Sequence, residues 1–461
     1  MKSQLCGTRR MFIKSAHYGR LLGVLTLCFT SWQCSRDMVS VPTNQKILAP
    51  YEVSLDDAAS VAEKYGLSVV ADKKGARAAG PIAGLKETIA DEDNRALFHV
   101  INYAGGGFAI VSADMRAMPI LAYSLSGDPF PTKEAATMNG LALWFSGAKA
   151  QMKDITKSTL AADSIAIKEW KKYLAGTLNL PKGGRVAGNT NCQEWYTTGQ
   201  YMCRYSSYFS HNSSNPNIPG PLLSRPEFSL GVAWGQSRIA NANAPNAPAF
   251  ACTSSENEGF CGRSPAGCGP VAMAQVLWYY KASGQFDYNA MPAFSSSSDC
   301  SFSAYGDLQL ASLMRACGNE AGSIYGFSST CNTLTFPSNI PGALSRLGLS
   351  SGGNLSSFGP ATLKNDVYQG NPVILIGTNS DPYFTGFDQH IWVCDGFDEH
   401  RYSQYNCDTH QCDELSFLYL YNNWGFSSRG NGWYGVSNFR PNFSGIGNYN
   451  QNVRMISGIR R

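Results

Sequence analysis

Cys268 stands between Gly267 and Gly269, ahead of Pro270 and an apolar run from Val271 to Tyr280. Glycine on both sides lets the chain turn sharply, and Pro270, with its fixed φ and no N–H, suits a first helical position. The run is apolar almost all round, the pattern of a buried helix rather than an amphipathic one. A cysteine at the start of such a helix meets free backbone N–H groups and the positive end of the dipole, and both favour a thiolate. Most cysteines are halves of disulfides or inert core thiols. The flanking glycines and the buried helix make this one a candidate nucleophile.

A cysteine nucleophile needs a base that takes its proton and later protonates a leaving group. The chain has 6 histidines. His17 falls in a basic leader, His99 in a strand pattern that suits a packed side chain, and His211 in a loop-rich linker. His400 and His410 sit in a polar, charged stretch read as a solvated loop. His390 alone opens an apolar strand, and elimination makes it the base. Acyl transfer also needs donors for a developing oxyanion. The Cys268 N–H is one, and Gln236, after Trp234 and Gly235, is a candidate for the second. The imidazole needs orienting, and Asn422-Asn423-Trp424-Gly425 follows an apolar strand. A neutral asparagine accepts an imidazole N–H, whereas an indole only donates and shields. Asn422 is favoured for that role, with Asn423 and Trp424 as alternatives. The candidate set is therefore Cys268, His390, Gln236, Asn422 and Trp424, and its chemistry calls for no metal and no organic cofactor. Cys407-x-x-His410-x-Cys412 reads as a disulfide hairpin rather than a metal site.

These residues must be held by a large framework. The 461 residues suggest two domains, and 43% hydrophobic with 12% aromatic content is enough for sizeable cores. Only 15% of residues are charged, and the net charge of +4 clusters nowhere beyond the N-terminus, so nucleic-acid binding gains no support. Residues 1–34 read as an export signal: Lys2, Arg9, Arg10, Lys14 and Arg20 precede a short apolar core from Leu21 to Thr30. Ser31-Trp32-Gln33-Cys34 is a candidate lipoprotein processing site, with Cys34 as the candidate lipid anchor. Cysteine usage agrees with export. Cys192/Cys203, Cys252/Cys261, Cys317/Cys331 and Cys407/Cys412 are spaced as loop staples, which leaves Cys300 and Cys394 without a local partner.

Along the chain, a helix is expected from Ser54, with Asp56 and Asp57 in its first turn and Gly66 as its stop. Strands are expected at 97–103 and 108–112, and helices at 131–157 and 161–174. The stretch from Leu180 to Pro221 turns Gly/Pro- and Tyr/Ser/Asn-rich, the character of an exposed linker open to nicking. Beyond it, helices are expected at 308–317, 341–347 and 360–369, and strands at 373–377, 390–396, 417–421 and 433–436.

The order Gln236, Cys268, His390, Asn422-Asn423-Trp424-Gly425 resembles the papain-like cysteine peptidases, and more closely their streptopain family. Further matches are Gly370-Asn371-Pro372-Val373-Ile374, Asp395-Gly396 behind His390, and the ending Tyr449 to Ile456. Gly107 to Asp114, Pro119 to Ser124 and Pro221-Leu222-Leu223 resemble the family's propeptide and its junction. Gly269-Pro270 and Phe426, in place of a second tryptophan, depart from the family pattern. The resemblance implies an α+β fold: an α+β propeptide domain (35–185), a linker and activation region (186–220), and a papain-like two-lobed peptidase domain (221–461). It implies a cysteine endopeptidase made as a zymogen, exported from a bacterium to the periplasm, the cell surface or beyond. Its partners would be protein or peptide substrates and its own propeptide as an intramolecular inhibitor. Another Cys-dependent acyl transfer (a cell-wall amidase or transglutaminase-like activity) and an inactive papain-fold surface protein are the competing readings.

Overall fold

The computed structural model describes residues 50–74, 80–136, 138–174, 230–247, 259–294, 300, 303–327, 331–378, 389–406, 411–441 and 453–461. The export signal with Cys34, the linker at 186–220, and Cys407 with His410 lie outside the described residues. Leu48–Arg461 forms one compact unit.

The first helix, α1 (Leu55–Lys74), starts where its sequence says it should: Ser54 Oγ accepts the Asp57 N–H at 3.0 Å. It does not stop at Gly66. There glycine makes room, because a Cβ would run into the Pro81 ring. Four strands follow, β1 (Ala83–Ala90), β2 (Ala96–Tyr103), β3 (Phe108–Ser112) and β4 (Ile120–Ser124). Then come α2 (Asn139–Lys157) and α3 (Ser164–Tyr173), the latter capped by Asp163, which accepts the Ile165 N–H at 2.7 Å. Beyond the undescribed stretch lie α4 (Cys268–Tyr280), α5 (Tyr305–Glu320), the short hairpin β5 (Ile324–Tyr325) and β6 (Thr333–Leu334), and α6 (Ile340–Arg346). The chain closes with β7 (Ser351–Ser357), α7 (Pro360–Tyr368), β8 (Val373–Gly377), β9 (His390–Asn406), β10 (Gln411–Asn423), β11 (Gly432–Gly435) and β12 (Val453–Arg460).

Ten of the strands form one antiparallel sheet in the order β1-β2-β3-β4-β11-β10-β9-β8-β12-β7. The α+β class is therefore correct. The sheet runs without a break from the region expected as propeptide into the region expected as peptidase, joined where Trp433 and Tyr434 of β11 pair with Tyr123 and Ala122 of β4.

Both faces of β8 and of the first residues of β9 are covered, which explains why these stretches read as apolar runs rather than alternations. Ile374, Ile376, Ile391, Val393, Ile456 and Ile459 pack on one face against α4, α5 and α6. Val373, Leu375, Trp392, Cys394, Val453 and Met455 face the opposite core, shared with α7 and with residues of α1, α2, α3 and β2–β4. Within that core Trp144 of α2 donates from its indole to Gly435 O at 2.8 Å.

Three expectations are corrected. Cys261 pairs with Cys300 across 39 residues, not with Cys252. Cys317 is a free, buried thiol on the inner face of α5, while Cys331 is disulfide-bonded, so these two are not a staple. His400 is not in a loop: it lies inside β9, half-buried, with Nε2 at 3.2 Å from Asp398 Oδ2.

Candidate functional site

The turn before α4 is built by its glycines. Gly267 caps the helix at φ +95°, a conformation that favours glycine, and a Cβ there would stand 2.8 Å from Thr333 Cγ2. A Cβ at Gly269 would stand 2.6 Å from Thr335 Cβ. The flanking glycines thus let β6 and the residue after it lie directly on the turn that carries Cys268. Pro270 is the third helical residue rather than the first, still inside the turn whose N–H groups have no intrahelical partner. At the far end, Tyr279 Oη donates to Gly370 O at 2.8 Å and Tyr280 Oη to Asn371 Oδ1 at 2.9 Å. The Gly370-Asn371 turn is therefore an anchor for α4.

Cys268 is half-buried, with its sulfur against the main-chain N–H groups of Gly269 and Ile391. Burial pushes the thiol up to about 11, outweighing those N–H groups, which lower it. The sequence led us to expect a thiolate; in this covered arrangement the group is a thiol. Because Ile391 follows His390, the contact sets the sulfur beside the first residues of β9.

His390 is 2% exposed. Burial pushes it down to about 4, against the raising effect of the Trp424 carbonyl. Its Nε2 lies 2.7 Å from Trp424 O. A carbonyl only accepts, so Nε2 carries the proton and Nδ1 keeps its lone pair. The ring is sandwiched between Phe426, 5.0 Å away and 3° from parallel, and Trp392, 6.0 Å away and 15° from parallel.

The imidazole N–H thus goes to a main-chain carbonyl rather than to the Asn422 side chain. Asn422 is fully buried, and its Oδ1 accepts from the Trp392 indole at 3.1 Å. Asn423 points the other way along the strand, toward α4: Gln275 Nε2 donates to its Oδ1 at 3.2 Å, and its Nδ2 donates to Val232 O at 2.9 Å. The shift in register between Tyr421 and Asn422 is the local feature that simple alternation could not foresee. Trp424 is fully buried and packs on Trp392 at 5.1 Å.

Gln236 reaches the same turn through its backbone, whose carbonyl accepts the Ala266 N–H at 2.8 Å, two residues before Cys268. Asp395, a member of the sequence pattern without an assigned role, is buried, and its Oδ2 accepts the Leu230 N–H at 2.7 Å. Burial raises its carboxyl well above the usual carboxylate range, against the lowering effect of the Leu230 N–H. It ties the start of the Gln236 segment to β9. Sequence reading missed Gln275: it sits two turns after Cys268 in an otherwise apolar helix, and that one polar residue in a buried run was the available signal.

Gly140, at the start of α2, lies on the His390 ring. A Cβ there would overlap the imidazole Cδ2 and stand 3.0 Å from Trp424 Cε3.

Residues 50–152 match a family described as Spi protease inhibitor. No curated protein matches the chain. Among the solved structures that match the chain are two from Prevotella intermedia. One is a mutant fragment of Prevotella intermedia prointerpain A, 16% identical, covering 82% of this chain and 99% of that one at a TM-score of 0.45. The other is active wild-type interpain A, a cysteine protease of Prevotella intermedia, 17% identical, covering 50% of this chain and 93% of that one at a TM-score of 0.34.

Proposed function

We propose that this chain is the precursor of a papain-like cysteine endopeptidase. The observation that carries the reading is the meeting of Cys268 at the start of α4 with the Ile391 N–H, one residue after a histidine whose ring is fixed in a single tautomer. In this reading His390 Nδ1 takes the Cys268 proton, and the thiolate attacks a peptide carbonyl carbon. The oxyanion that forms is held by the Cys268 N–H and the Gln236 amide. The imidazolium gives its proton to the departing amine, leaving a thioester on Cys268. Water, deprotonated by the same nitrogen, attacks the thioester and frees the thiol.

In the covered chain burial opposes both charged forms, with the thiol pushed up to about 11 and the imidazole down to about 4. Proton transfer from sulfur to nitrogen is then steeply uphill. Residues 35–185, with Gly140 seated on the imidazole, are the inhibitory segment, and the likeness of 50–152 to a protease-inhibitor family supports that role. Cutting within 186–220 and removing the segment re-solvates the pair and draws the two values together. The segment from 221 to 461 is the peptidase, its helices and its strands forming the walls of the cleft. Export through residues 1–34, with a lipid at Cys34, completes the proposal.

The test is degradation of casein by the processed chain under reducing conditions. Loss of cleavage on thiol alkylation, and its absence in a folded Cys268→Ala variant, are expected. Near-normal cleavage by Cys268→Ala would overturn the assignment. The same match at 50–152 favours a second reading, in which the chain acts as a protease inhibitor. Inhibition of an added cysteine peptidase, with no casein cleavage after processing, would favour that one.

A further inference from the structure

Three segments must hold their places for Cys268 and His390 to work together: α4, the end of β10 with Trp424, and the stretch leading to Gln236. One side chain touches all three. Asn423 is 4% exposed. Its Oδ1 accepts from Gln275 Nε2 of α4 at 3.2 Å and from the Gly425 N–H at 3.4 Å. Its Nδ2 donates to Val232 O at 2.9 Å, four residues before Gln236. Next to it, Trp424 O fixes the imidazole. Gly425, at φ +76°, lets this turn close on α4: a Cβ there would stand 3.3 Å from Val271 Cγ1.

We propose that Asn423, with Gln275 as its partner on α4, is the positioning residue that couples the nucleophile's helix to the carbonyl holding His390 and to the Gln236 segment. The chain of contacts runs from Cys268 along two helical turns to Gln275, across to Asn423, and through one peptide unit to Trp424 O and His390 Nε2. A planar amide suits this place, because it accepts and donates at once in fixed directions. Aspartate would lose the donor to Val232 O, and a hydroxyl is too short to span helix and strand. Gln275 itself is fully buried, and its Oε1 has no hydrogen-bond partner. A buried acceptor left unpaired is destabilising, so a residue kept there only for packing would be better apolar. A glutamine in this otherwise apolar helix points to the work of its Nε2.

That unpaired oxygen also provides the test. Gln275→Met keeps the volume, removes the orphaned acceptor and cuts the link to Asn423. If Gln275 were merely structural, this variant would match or exceed the parent in every property. Positioning predicts a separation: an unchanged or raised melting temperature together with a less reactive thiol. As α4 loosens from the sheet, the Ile391 N–H that lowers the Cys268 pKa draws away. The measurement is the rate at which iodoacetamide alkylates Cys268 in the full-length chain as a function of pH, read by peptide mass mapping. The midpoint should move up in Gln275→Met, and in Asn423→Ala where that variant folds. The rate below the midpoint should fall about threefold for each half-unit of movement. A parental rate and midpoint in Gln275→Met overturns the coupling. The inference rests on the peptidase reading only for its effect on turnover. A chain that cleaves no protein yet shows the displaced midpoint sinks that reading and leaves the coupling standing.

Discussion

Gly140 of α2 lies against the Cδ2 edge of the His390 ring of β9, with no room between them for a methyl group. The first third of the chain therefore reaches the candidate base directly and excludes water from it. Any side chain at position 140 must push α2 off the imidazole or push the imidazole off the Trp424 carbonyl. Gly140→Ala should destabilise the full-length chain by about 1–3 kcal/mol, as overpacking of a close contact does. It should also speed alkylation of Cys268 in the uncut chain. A thermal melt and a mass-mapped alkylation time course check both. A variant as stable and as slowly alkylated as the parent would mean that α2 does not guard the site.

The covered site gives the full-length chain a defined pH dependence. Burial pushes His390 down to about 4 in the folded chain, below its ordinary value of 6.5. Between these values the unfolded chain binds the proton and the folded one does not. Stability from this group is thus complete above about 6.5 and is lost as pH falls toward 4, at up to about 1.4 kcal/mol per pH unit. Cys268 acts at the other end. Folded, it holds its proton up to about 11 against an ordinary 9.0, so stability falls as pH rises through that window. Melting temperatures of the parent and of His390→Gln across pH 4–7, taken as a difference, isolate the acid limb. The difference should shrink as pH falls. A constant difference would show that the imidazole is not buried neutral in solution.

Gln236 should behave as an oxyanion donor. Gln236→Ala should lower kcat of the processed chain by roughly 10²–10³ and change KM little, since the developing charge exists only in the transition state. Steady-state kinetics on a peptide substrate decides it. A loss confined to KM would make Gln236 a substrate-binding residue.

Much of the frame was legible in the sequence because it rests on local physics. Ser54 capping α1, the buried run of α4 and the β-branched run of β8 each follow from a rule acting over a few residues. β1 and β7 escaped notice. Ala83 to Ala90 is an exposed edge strand, and Ser351 to Ser357 contains two glycines. Neither carries an apolar pattern, and each is a strand because a neighbour pairs with it. The Cys261–Cys300 bridge was invisible for a similar reason: proximity along the chain suggested Cys252, whereas the fold brings Cys300 close. At the site, residue types were readable but partners were not. Cys268, His390 and Trp424 do converge. Which atom receives the imidazole N–H depended on a shift in register after Tyr421, which no sequence pattern announces.

That shift decides what Asn422 does. The sequence favoured it as the orienter of His390, yet its Oδ1 holds the Trp392 indole at 3.1 Å, and Trp392 in turn stacks on the imidazole. Its influence on the base is therefore one ring removed. Asn422→Ala should let Trp392 tilt, lowering both the melting temperature and kcat of the processed chain. The pH profile of kcat/KM should stay where it is, because the Trp424 carbonyl still receives the Nε2 proton at 2.7 Å and no side-chain substitution removes that atom. Trp424→Phe offers the complementary test, since it keeps the carbonyl while trimming the indole that shields the ring. It too should leave the profile in place while reducing stability. A profile displaced by a unit or more in Asn422→Ala alone would mean that, in the processed chain, the imidazole turns from the Trp424 carbonyl to the asparagine. Asn422 would then be the third member of a triad.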